Sequence, residues 1–266
     1  MIAVTTPKDK KLSLDVIAVT PEGEKAYYVP PDVMRPTDED LGQVGISPSK
    51  SEWYPAVTQA HRLTAFLAGN PGAGKSYLAA DLIKMLPKSA DILLFTALDE
   101  TDGNFEKLPQ KIWKISLEPE KLEKLLELKN IRAMSKCPIL LFDDIDKIPD
   151  TGIRKLVFAI MENALANGRG HRKHDGEGDI HVIATSHALN DFLKTKYMFE
   201  NSDHVCLFPQ STPYLQMKRM FDKIGLKKDL LDNVIKMGKM DGIRRVIIRK
   251  IHPMYLIAGP NITLLT

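Results

Sequence analysis

Short apolar runs alternate with amphipathic stretches from residue 63 to about residue 208, so that predicted strands and helices follow one another along the chain. This alternation is typical of a mostly parallel central sheet with helices on both faces. The predicted strands cover residues 63–68, 91–96, 138–142, 180–185 and 204–208, with a short run at 111–115 as a candidate for the same sheet. The predicted helices cover residues 75–86 and 152–166, and a third begins near residue 119. The pattern therefore predicts an α/β fold.

The pattern changes on the N-terminal side of this core. Residues 13–20 and 25–29 flank the turn Pro21-Glu-Gly-Glu24 and predict a β-hairpin. A polar stretch punctuated by prolines follows at residues 30–51 and is typical of a loop or linker. We therefore expect an N-terminal β-containing extension over residues 1–60, which covers a sheet edge or contacts a partner subunit.

The C-terminal side of the core also has its own pattern. Residues 214–238 predict two short helices separated by Ile224-Gly225, either a helical hairpin packed on the sheet or a DNA-reading helix-turn-helix. A terminal β-ribbon follows, with strands predicted at residues 244–249, 254–257 and 262–265. The expected organisation is thus a core over residues 61–210 and a C-terminal α+β tail over residues 211–266.

Composition places the chain among ordinary globular proteins. Its 266 residues are 44% hydrophobic and 27% charged, enough for a real core in one domain with an appendage. No apolar run approaches the roughly 20 residues of a membrane span, and the N-terminus lacks a signal-peptide segment. We therefore expect an intracellular protein with no membrane partner. Cys137 and Cys206 lie in apolar strand-like runs and are expected to be buried thiols rather than a disulfide.

Charge is distributed unevenly although the net charge is only +3. Residues 1–60 carry 6 Lys and Arg against 9 Asp and Glu, a balance of −3, whereas residues 211–250 carry 11 against 4, a balance of +7. The basic C-terminal part either faces a polyanion or is a solvated helix face, and the charge alone does not separate the two interpretations.

A phosphate-binding loop motif, G-x-x-x-x-G-K-[ST], lies between the first core strand and the helix after it. Its glycines allow a tight turn whose amide groups, with the helix N-terminus, hold phosphate oxygens. Lys75 would reach the β- and γ-phosphates, and the Ser76 hydroxyl would ligate Mg²⁺. The predicted nucleotide contacts are Gly69, Asn70, Pro71, Gly72, Ala73, Gly74, Lys75, Ser76 and Tyr77. The fold class is therefore refined to an α/β P-loop NTPase.

Two acidic residues end the apolar strand 138–142, the form of a Walker B element. A carboxylate at such a strand tip accepts Mg²⁺ directly or through water, and we expect Asp143 to do so. Asp144, one residue on and directed differently, is the candidate that orients or deprotonates the attacking water. Many related ATPases have Glu at that second position, so the shorter Asp leaves the identity of the base open.

The strand at residues 180–185 ends in polar side chains. In P-loop ATPases with an extra strand between the loop strand and the Walker B strand, a polar residue at this tip senses the γ-phosphate. Thr185, Ser186 and His187 are candidates, with Ser186 the first choice. The alternative is a strand that merely exits into a polar turn.

Residues 167–174 form a dense basic cluster directly after a predicted helix. Arg169 or Arg172 would suit an arginine that completes the site of a neighbouring subunit and neutralises charge in the transition state. A contact to DNA phosphate and a surface loop are the other interpretations. His171 and His174 lack the further ligands that a metal site requires.

Together these motifs resemble the genome-packaging ATPases of large DNA viruses of eukaryotes, within the FtsK–HerA group of P-loop motors. The resemblance extends from about Leu63 to the C-terminus. It rests on GNPGAGKS, on LLFTALDETDGNFEKL, on ILLFDDID, on NGRGHR before a strand ending in ATSH, and on DHVCLFPQS. Relatives have a Gly-Arg-His element before a strand ending in Ser-His, and here Gly170 and residues 174–179 depart from that pattern.

The resemblance implies a ring that hydrolyses ATP with Mg²⁺ and moves double-stranded DNA into a capsid. Capsid or portal proteins would then be partners, and the location would be the host-cell cytoplasm, a viral factory or the virion. A second resemblance, to AAA+ helicase loaders, rests on GNPGAGKSYLAADLI and ATSH. Loaders end in a helical lid, whereas this chain ends in predicted strands, which favours the motor. A third hypothesis is a nucleotide-gated structural subunit. No Asn-Lys-x-Asp guanine-reading element is visible, which favours ATP.

Overall fold

A computed structural model describes residues 2–3, 15–28, 52–57, 62–98, 102–170, 178–187, 195–240 and 243–265. The strands, numbered in chain order, are β1 (Ile2–Ala3), β2 (Asp15–Val19), β3 (Lys25–Tyr28), β4 (Tyr54–Pro55), β5 (Thr64–Ala68), β6 (Asp91–Thr96), β7 (Lys111–Lys114), β8 (Pro138–Asp143), β9 (His181–Ser186), β10 (His204–Leu207), β11 (Val246–Arg249), β12 (Tyr255–Ala258) and β13 (Asn261–Leu264). The helices are α1 (Lys75–Lys84), α2 (Gly103–Glu106), α3 (Pro119–Leu125), α4 (Leu128–Met134), α5 (Thr151–Asn167), α6 (Lys196–Asn201), α7 (Tyr214–Ile224) and α8 (Lys228–Met240).

The main sheet has nine strands in the order β13-β12-β11-β10-β5-β9-β8-β6-β7. The six strands from β10 to β7 are parallel, whereas β11, β12 and β13 continue the sheet antiparallel beyond β10. Strand β9 lies between β5 and β8, the position of the extra strand that the sequence predicts. The mostly parallel α/β fold is therefore confirmed.

The central strands are apolar because both faces of the sheet are covered. Every residue of β5 and of β8 is buried, as expected of parallel strands between two layers of helices. Alternate side chains supply two separate cores, so that Phe66 packs on one side of the sheet and Leu67 on the other. On the first side, the rings of Phe95 and Phe142 stack with their centroids 4.7 Å apart. The central strands are therefore held between two apolar layers.

The predicted core strands are all present, and β7 joins the sheet beside β6. The helix predicted near residue 119 begins at Pro119, and its Leu122 and Leu125 face the core. Three short helices, α2, α4 and α6, were not predicted. Each is seven residues long or shorter, too short to show a helical period in the sequence.

A separate four-stranded sheet, in the order β1-β3-β2-β4, contains the strand pair that the sequence predicts around the turn at residues 21–24. It packs on the C-terminal strands of the main sheet. The indole Nε1–H of Trp53 donates to the Pro260 carbonyl at 3.1 Å, and the Tyr255 hydroxyl donates to the Ile17 carbonyl at 2.8 Å. The predicted linker, residues 30–51, lies outside the described residues. The division of the chain at residues 60 and 210 stays a prediction.

The C-terminal part contains the two helices and the β-ribbon that the sequence predicts. Gly225 ends α7 with a φ of 79°, and the N–H of Leu226 returns to the Phe221 carbonyl, a common helix C-terminus. Helix α7 buries Met217, Met220 and Phe221 against the core and exposes its charged side. The ribbon is not a free appendage, because its first strand pairs with β10.

Both cysteines are free thiols, as predicted, but Cys137 is only partly buried. Cys206 is fully buried in β10, and burial raises the pKa of its thiol to about 12. No helix in the described part of the chain is long and apolar enough to cross a bilayer.

Candidate active site

The loop between β5 and α1 has glycine where its backbone requires glycine. Gly72 and Gly74 have φ values of 77° and 100°, in the left-handed region that side chains disfavour. Gly69 is needed for a different reason: a Cβ there would approach the Phe208 ring to 2.8 Å. The loop leads directly into the N-terminus of α1, whose first N–H groups have no partner within the helix. This is the geometry that binds phosphate.

Lys75 is the first residue of α1, and only 7% of its surface is exposed. Its ammonium donates to the carbonyls of Gly69 at 3.1 Å and Asn70 at 3.4 Å, and lies 3.2 Å from Nδ1 of His187. Burial lowers the pKa of Lys75, although Asp144 and Asp143 act in the opposite direction. The ammonium therefore sits between the loop and the carboxylates.

Asp143 ends β8 and is 5% exposed. Its Oδ1 accepts a hydrogen bond of 2.9 Å from the hydroxyl of Thr185 on the neighbouring strand. Burial raises the pKa of this carboxyl, and the Thr185 hydrogen bond opposes the shift. A cation placed here would stabilise the ionised form.

Asp144 leaves the strand in a left-handed conformation, with φ 49° and ψ 38°. Its N–H donates to the Thr185 hydroxyl at 3.0 Å. Its Oδ2 lies 2.5 Å from Nε2 of His187 and 3.8 Å from the ammonium of Lys147. His187 thus contacts Lys75 through one ring nitrogen and Asp144 through the other.

These groups meet because three neighbouring parallel strands end at one edge of the sheet. Ala68, the last residue of β5, is in register with Ser186 at the end of β9, and Phe142 of β8 is in register with Ala184. The carboxyl ends of parallel strands are the usual place for a ligand in an open α/β sheet.

The three candidates for sensing the γ-phosphate, Thr185, Ser186 and His187, differ in the groups that they contact. Thr185 and Ser186 are completely buried, whereas the His187 side chain is 18% exposed. The Ser186 carbonyl accepts a hydrogen bond from the Gly69 N–H at 3.1 Å, and it is Thr185 and His187 that contact the two carboxylates. A role for Thr185 in joining Asp143 to Asp144 was missed, although a hydroxyl near the tip of the strand beside Walker B was a usable signal.

The residues present fit a magnesium ion that is shared with a nucleotide. Mg²⁺ prefers oxygen ligands and usually keeps several waters, with one or two protein ligands and substrate phosphates. The Asp143 carboxylate and the Ser76 hydroxyl, in the first turn of α1, are ligands of that type. No group of three or more His, Cys, Asp or Glu side chains suited to a metal occurs among the described residues.

Arg169 lies far from this site in its own chain. It follows α5, which has 17 residues and is therefore about 25 Å long. This helix runs from the carboxyl ends of the parallel strands, where the carboxylates lie, back to their amino ends. There the N–H of Ile180, which precedes β9, donates to the carbonyl of Gly168. The structure does not bring Arg169 to Lys75 and Asp143 within one subunit. Arg172, with His171 and His174, lies outside the described residues.

One protein family matches this chain over the phosphate-binding loop, strand β8 with its carboxylates and strand β9. Residues 65–208 match the ATPase family associated with various cellular activities (AAA). A protein of Sputnik virophage named "Uncharacterized protein V3" is 27% identical over 256 residues, which cover 94% of this chain and 93% of that protein.

Two solved structures are similar at lower identity. One is the pCW3 conjugation coupling protein TcpA with ATPgS, 19% identical, covering 55% of this chain and 48% of that chain, with a TM-score of 0.37. The other is EssC (ATPases 2 and 3) from Geobacillus thermodenitrificans, 12% identical, covering 77% of this chain and 38% of that chain, with a TM-score of 0.37. The matched regions span less than half the length of these two proteins.

Proposed function

Because the chain belongs to the AAA family of ATPases through residues 65–208, we propose that it uses ATP hydrolysis to move double-stranded DNA. The family establishes the ATPase, and the DNA substrate is the proposal. We further propose that it works as a ring and packages a viral genome, with capsid or portal proteins as partners. A virophage relative that matches nearly the whole chain supports the viral setting.

The site residues suggest a division of roles in hydrolysis. Lys75 would hold the β- and γ-phosphates, while Asp143 and Ser76 would hold Mg²⁺. When bound, the ion supplies positive charge that neutralises the phosphate oxygens in the transition state. Asp144 would orient or deprotonate the attacking water, since it follows Asp143 and its carboxylate contacts His187, which in turn contacts Lys75.

His187 is better placed than Ser186 to sense the γ-phosphate. It is partly exposed and lies between the ammonium of Lys75 and the carboxylate of Asp144. A phosphate drawn to Lys75 would compete for the same ammonium, so that His187 would report nucleotide occupancy to the candidate base. Ser186, by contrast, is fully buried.

One observation carries the choice of a DNA motor: the chain after β10 contains three antiparallel strands that extend the main sheet. A helicase loader would be expected to have a helical lid directly after the core. The two helices inserted before these strands, α7 and α8, expose the basic side chains Lys218, Arg219, Lys223, Lys227, Lys228, Lys236 and Lys239. A basic surface of this kind suits the phosphates of a duplex.

The loader remains the second candidate, because the AAA family match gives the ATPase activity without its substrate. In that case the chain would use ATP to remodel a protein partner on DNA. The two candidates differ in what stimulates turnover, which makes them separable by experiment.

The test is steady-state ATP hydrolysis by the purified protein with and without long double-stranded DNA, with Lys75→Ala as the control for contaminating ATPases. We expect severalfold stimulation by duplex and background turnover in the variant, because its loop has lost the phosphate-binding ammonium. ATP turnover that is indifferent to duplex but stimulated by a protein partner would transfer the assignment to the loader. Calorimetry that finds unchanged ATP affinity in Lys75→Ala would refute the assigned loop.

A further inference from the structure

Helix α7 exposes an apolar pair, Tyr214 and Leu215, in its first turn. Tyr214 is 41% exposed and Leu215 is 65% exposed, and in the part of the chain that the structure describes no other large exposed apolar residues are neighbours in sequence. Single exposed apolar side chains are common on protein surfaces, whereas contiguous ones mark places where a partner binds. The other apolar residues of α7 follow the usual pattern, with Met217, Met220 and Phe221 buried.

The apolar pair continues into a row of cations. Lys218 lies one helical turn after Tyr214 and therefore on the same face of the helix. Arg219 has the same relation to Leu215, and Lys223 follows Arg219 by one further turn. All three cations are exposed. A partner that covers this face meets apolar surface and positive charge together, so it must be an anion with apolar surface of its own.

The first turn of α7 is fixed to the phosphate-binding loop. The side-chain amide of Asn70 donates to the Ser211 carbonyl at 2.7 Å. The N–H groups of Ser211 and Thr212 both donate to the Phe208 carbonyl at 2.9 Å, and the Phe208 ring lies against the loop. Because the backbone is already ordered here, covering the apolar pair costs little further ordering.

The minor groove of double-stranded DNA has both properties that this face requires. Phosphates line its edges, and apolar side chains such as Leu enter it and pack between base steps. It is only about 6 Å wide, so it admits projecting side chains and excludes a whole helix. The major groove, by contrast, offers apolar contact mainly at the methyl group of thymine. A short apolar projection beside a row of cations therefore fits the minor groove better.

We propose that the apolar pair enters the minor groove of duplex DNA while Lys218, Arg219 and Lys223 contact the phosphates beside it. The inference rests on the proposed function, in which α7 faces a duplex, and adds which groove is contacted and by which side chains. The minor groove carries little sequence information, so this contact suits a protein that moves along DNA of any sequence. The hydrogen bond between Asn70 and Ser211 places the contact next to the ATP site.

The experiment measures binding of a short fluorescent A·T-rich duplex to the full chain by anisotropy, over a series of salt concentrations. We expect Leu215→Ala to weaken binding by about 5- to 50-fold at every salt concentration, because three carbon atoms leave an apolar contact. Tyr214→Ala should weaken it by about 5- to 100-fold, the range for loss of one aromatic contact to a base. The slope of log affinity against log salt should stay the same in both variants, since no phosphate contact is lost.

A second probe identifies the groove. Netropsin occupies the minor groove of A·T-rich DNA and should displace the unmodified protein from the duplex. Met134→Ala is the matched control, because Met134 is a large apolar residue that is 42% exposed and lies at the end of α4, before the amino end of β8. It should bind the duplex like the unmodified protein. Unchanged ATP hydrolysis without DNA should show that both test variants are folded, since their altered side chains are exposed.

The outcomes separate this inference from the proposed function. If the unmodified protein binds the duplex and both variants bind it equally well, the apolar pair makes no contact and the inference fails alone. A smaller salt slope in the variants would mean that phosphate contacts were lost instead, which also overturns it. Duplex binding that netropsin does not reduce would place the contact outside the minor groove.

Two further results would overturn the inference in different ways. A lower oligomer mass of Leu215→Ala in sedimentation experiments would assign the apolar pair to a contact between copies of this chain. Failure of the unmodified protein to bind the duplex at any salt concentration would overturn the proposed DNA motor itself, and the groove contact with it.

Discussion

Asp143 and Asp144 are chemically identical neighbours, and the backbone makes them different. Asp143 keeps the extended conformation of β8 and is buried beside Thr185. Asp144 has positive φ, the one non-glycine residue in the described ranges that does. The left-handed region costs most residues about 1–2 kcal/mol, but Asp and Asn tolerate it well. The turn at Asp144 therefore gives a different direction to each carboxylate, as the proposed roles in binding Mg²⁺ and in acting on water require.

Replacement of Asp144 by Asn tests this division at the residue scale. Asn tolerates the left-handed conformation and keeps one acceptor oxygen, so the fold and nucleotide affinity should be preserved. Turnover should fall by about 10²- to 10⁴-fold, the usual contribution of a general base. Calorimetry with ATP and steady-state hydrolysis measure the two quantities on the same preparation.

The control for that experiment is Lys147→Gln, which removes a cation 3.8 Å from Asp144 without touching the base itself. It should change turnover much less than Asp144→Asn does. Hydrolysis by Asp144→Asn within about tenfold of the unmodified protein would be below the contribution expected of a base and would move that role to another residue.

At the scale of elements, the sequence predicts the buried strands well and the short helices poorly. Strands β6 and β8 are continuous apolar runs because both their faces are covered, so their composition shows where they lie. Helices α2, α4 and α6 are held by contacts to the rest of the fold rather than by a repeating pattern.

The candidate site was likewise predictable in part from the sequence. The loop with Lys75 belongs to one motif of fixed spacing, and the two carboxylates belong to another. The sequence alone therefore predicts these residues. The contact of His187 with both Lys75 and Asp144 depends on the order of β5, β9 and β8 in the sheet, which joins residues more than 40 positions apart.

Helix α5 runs from the carboxyl ends of the parallel strands to their amino ends, and hydrogen bonds from Arg62 hold its C-terminal end in place. The Arg62 guanidinium donates to the Ala164 carbonyl at 2.7 Å and to the Leu165 carbonyl, satisfying acceptors that the end of a helix leaves open. Arg169 therefore follows a helix end that is fixed in place, on the side of the subunit opposite its own nucleotide loop. In the proposed ring, this position would let Arg169 reach the nucleotide site of a neighbouring subunit.

Complementation between two inactive variants tests that role. Lys75→Ala lacks a working loop but keeps Arg169, and Arg169→Ala has the reverse defect. If Arg169 acts on the neighbour, a mixed ring contains sites that combine an intact loop with an intact arginine, about a quarter of all sites at equal mixing. ATPase activity should then reappear on mixing and reach a comparable fraction of the unmodified rate.

Lys155→Ala, an exposed cation on the same helix, is the matched control and should retain activity alone. Co-purification of differently tagged variants must show that mixed oligomers form. Mixed oligomers that stay inactive would exclude Arg169 as an arginine acting between subunits.

At the scale of the whole molecule, charge separates the two ends of the chain. The N-terminal 60 residues are acidic and residues 211–250 are basic, and six of the basic side chains are exposed on α7 and α8: Lys218, Arg219, Lys223, Lys228, Lys236 and Lys239. The apolar sides of the same helices are buried, with Met217, Phe221 and Val234 in the core. The exposed sides of the two helices therefore carry six cations against the three exposed acids Asp222, Asp229 and Asp232, an excess of positive charge that suits phosphate.

The salt dependence of duplex binding tests this surface. Each phosphate contact releases counterions, so the logarithm of the affinity should fall linearly with the logarithm of salt concentration, with a slope of about −0.9 per contact. Replacement of three exposed cations of α7 by Gln, at Lys218, Arg219 and Lys223, should weaken binding at every sequence and reduce the magnitude of the slope by up to about 3. A matched triple replacement, at Lys107 after α2 and at Lys121 and Lys124 of α3, removes the same net charge elsewhere and should leave the slope nearly unchanged. Equal effects of the two triple replacements would mean that net charge, and not the surface of α7, determines duplex binding. An affinity of the unmodified protein that does not change with salt concentration would exclude DNA as the polyanion that this surface binds.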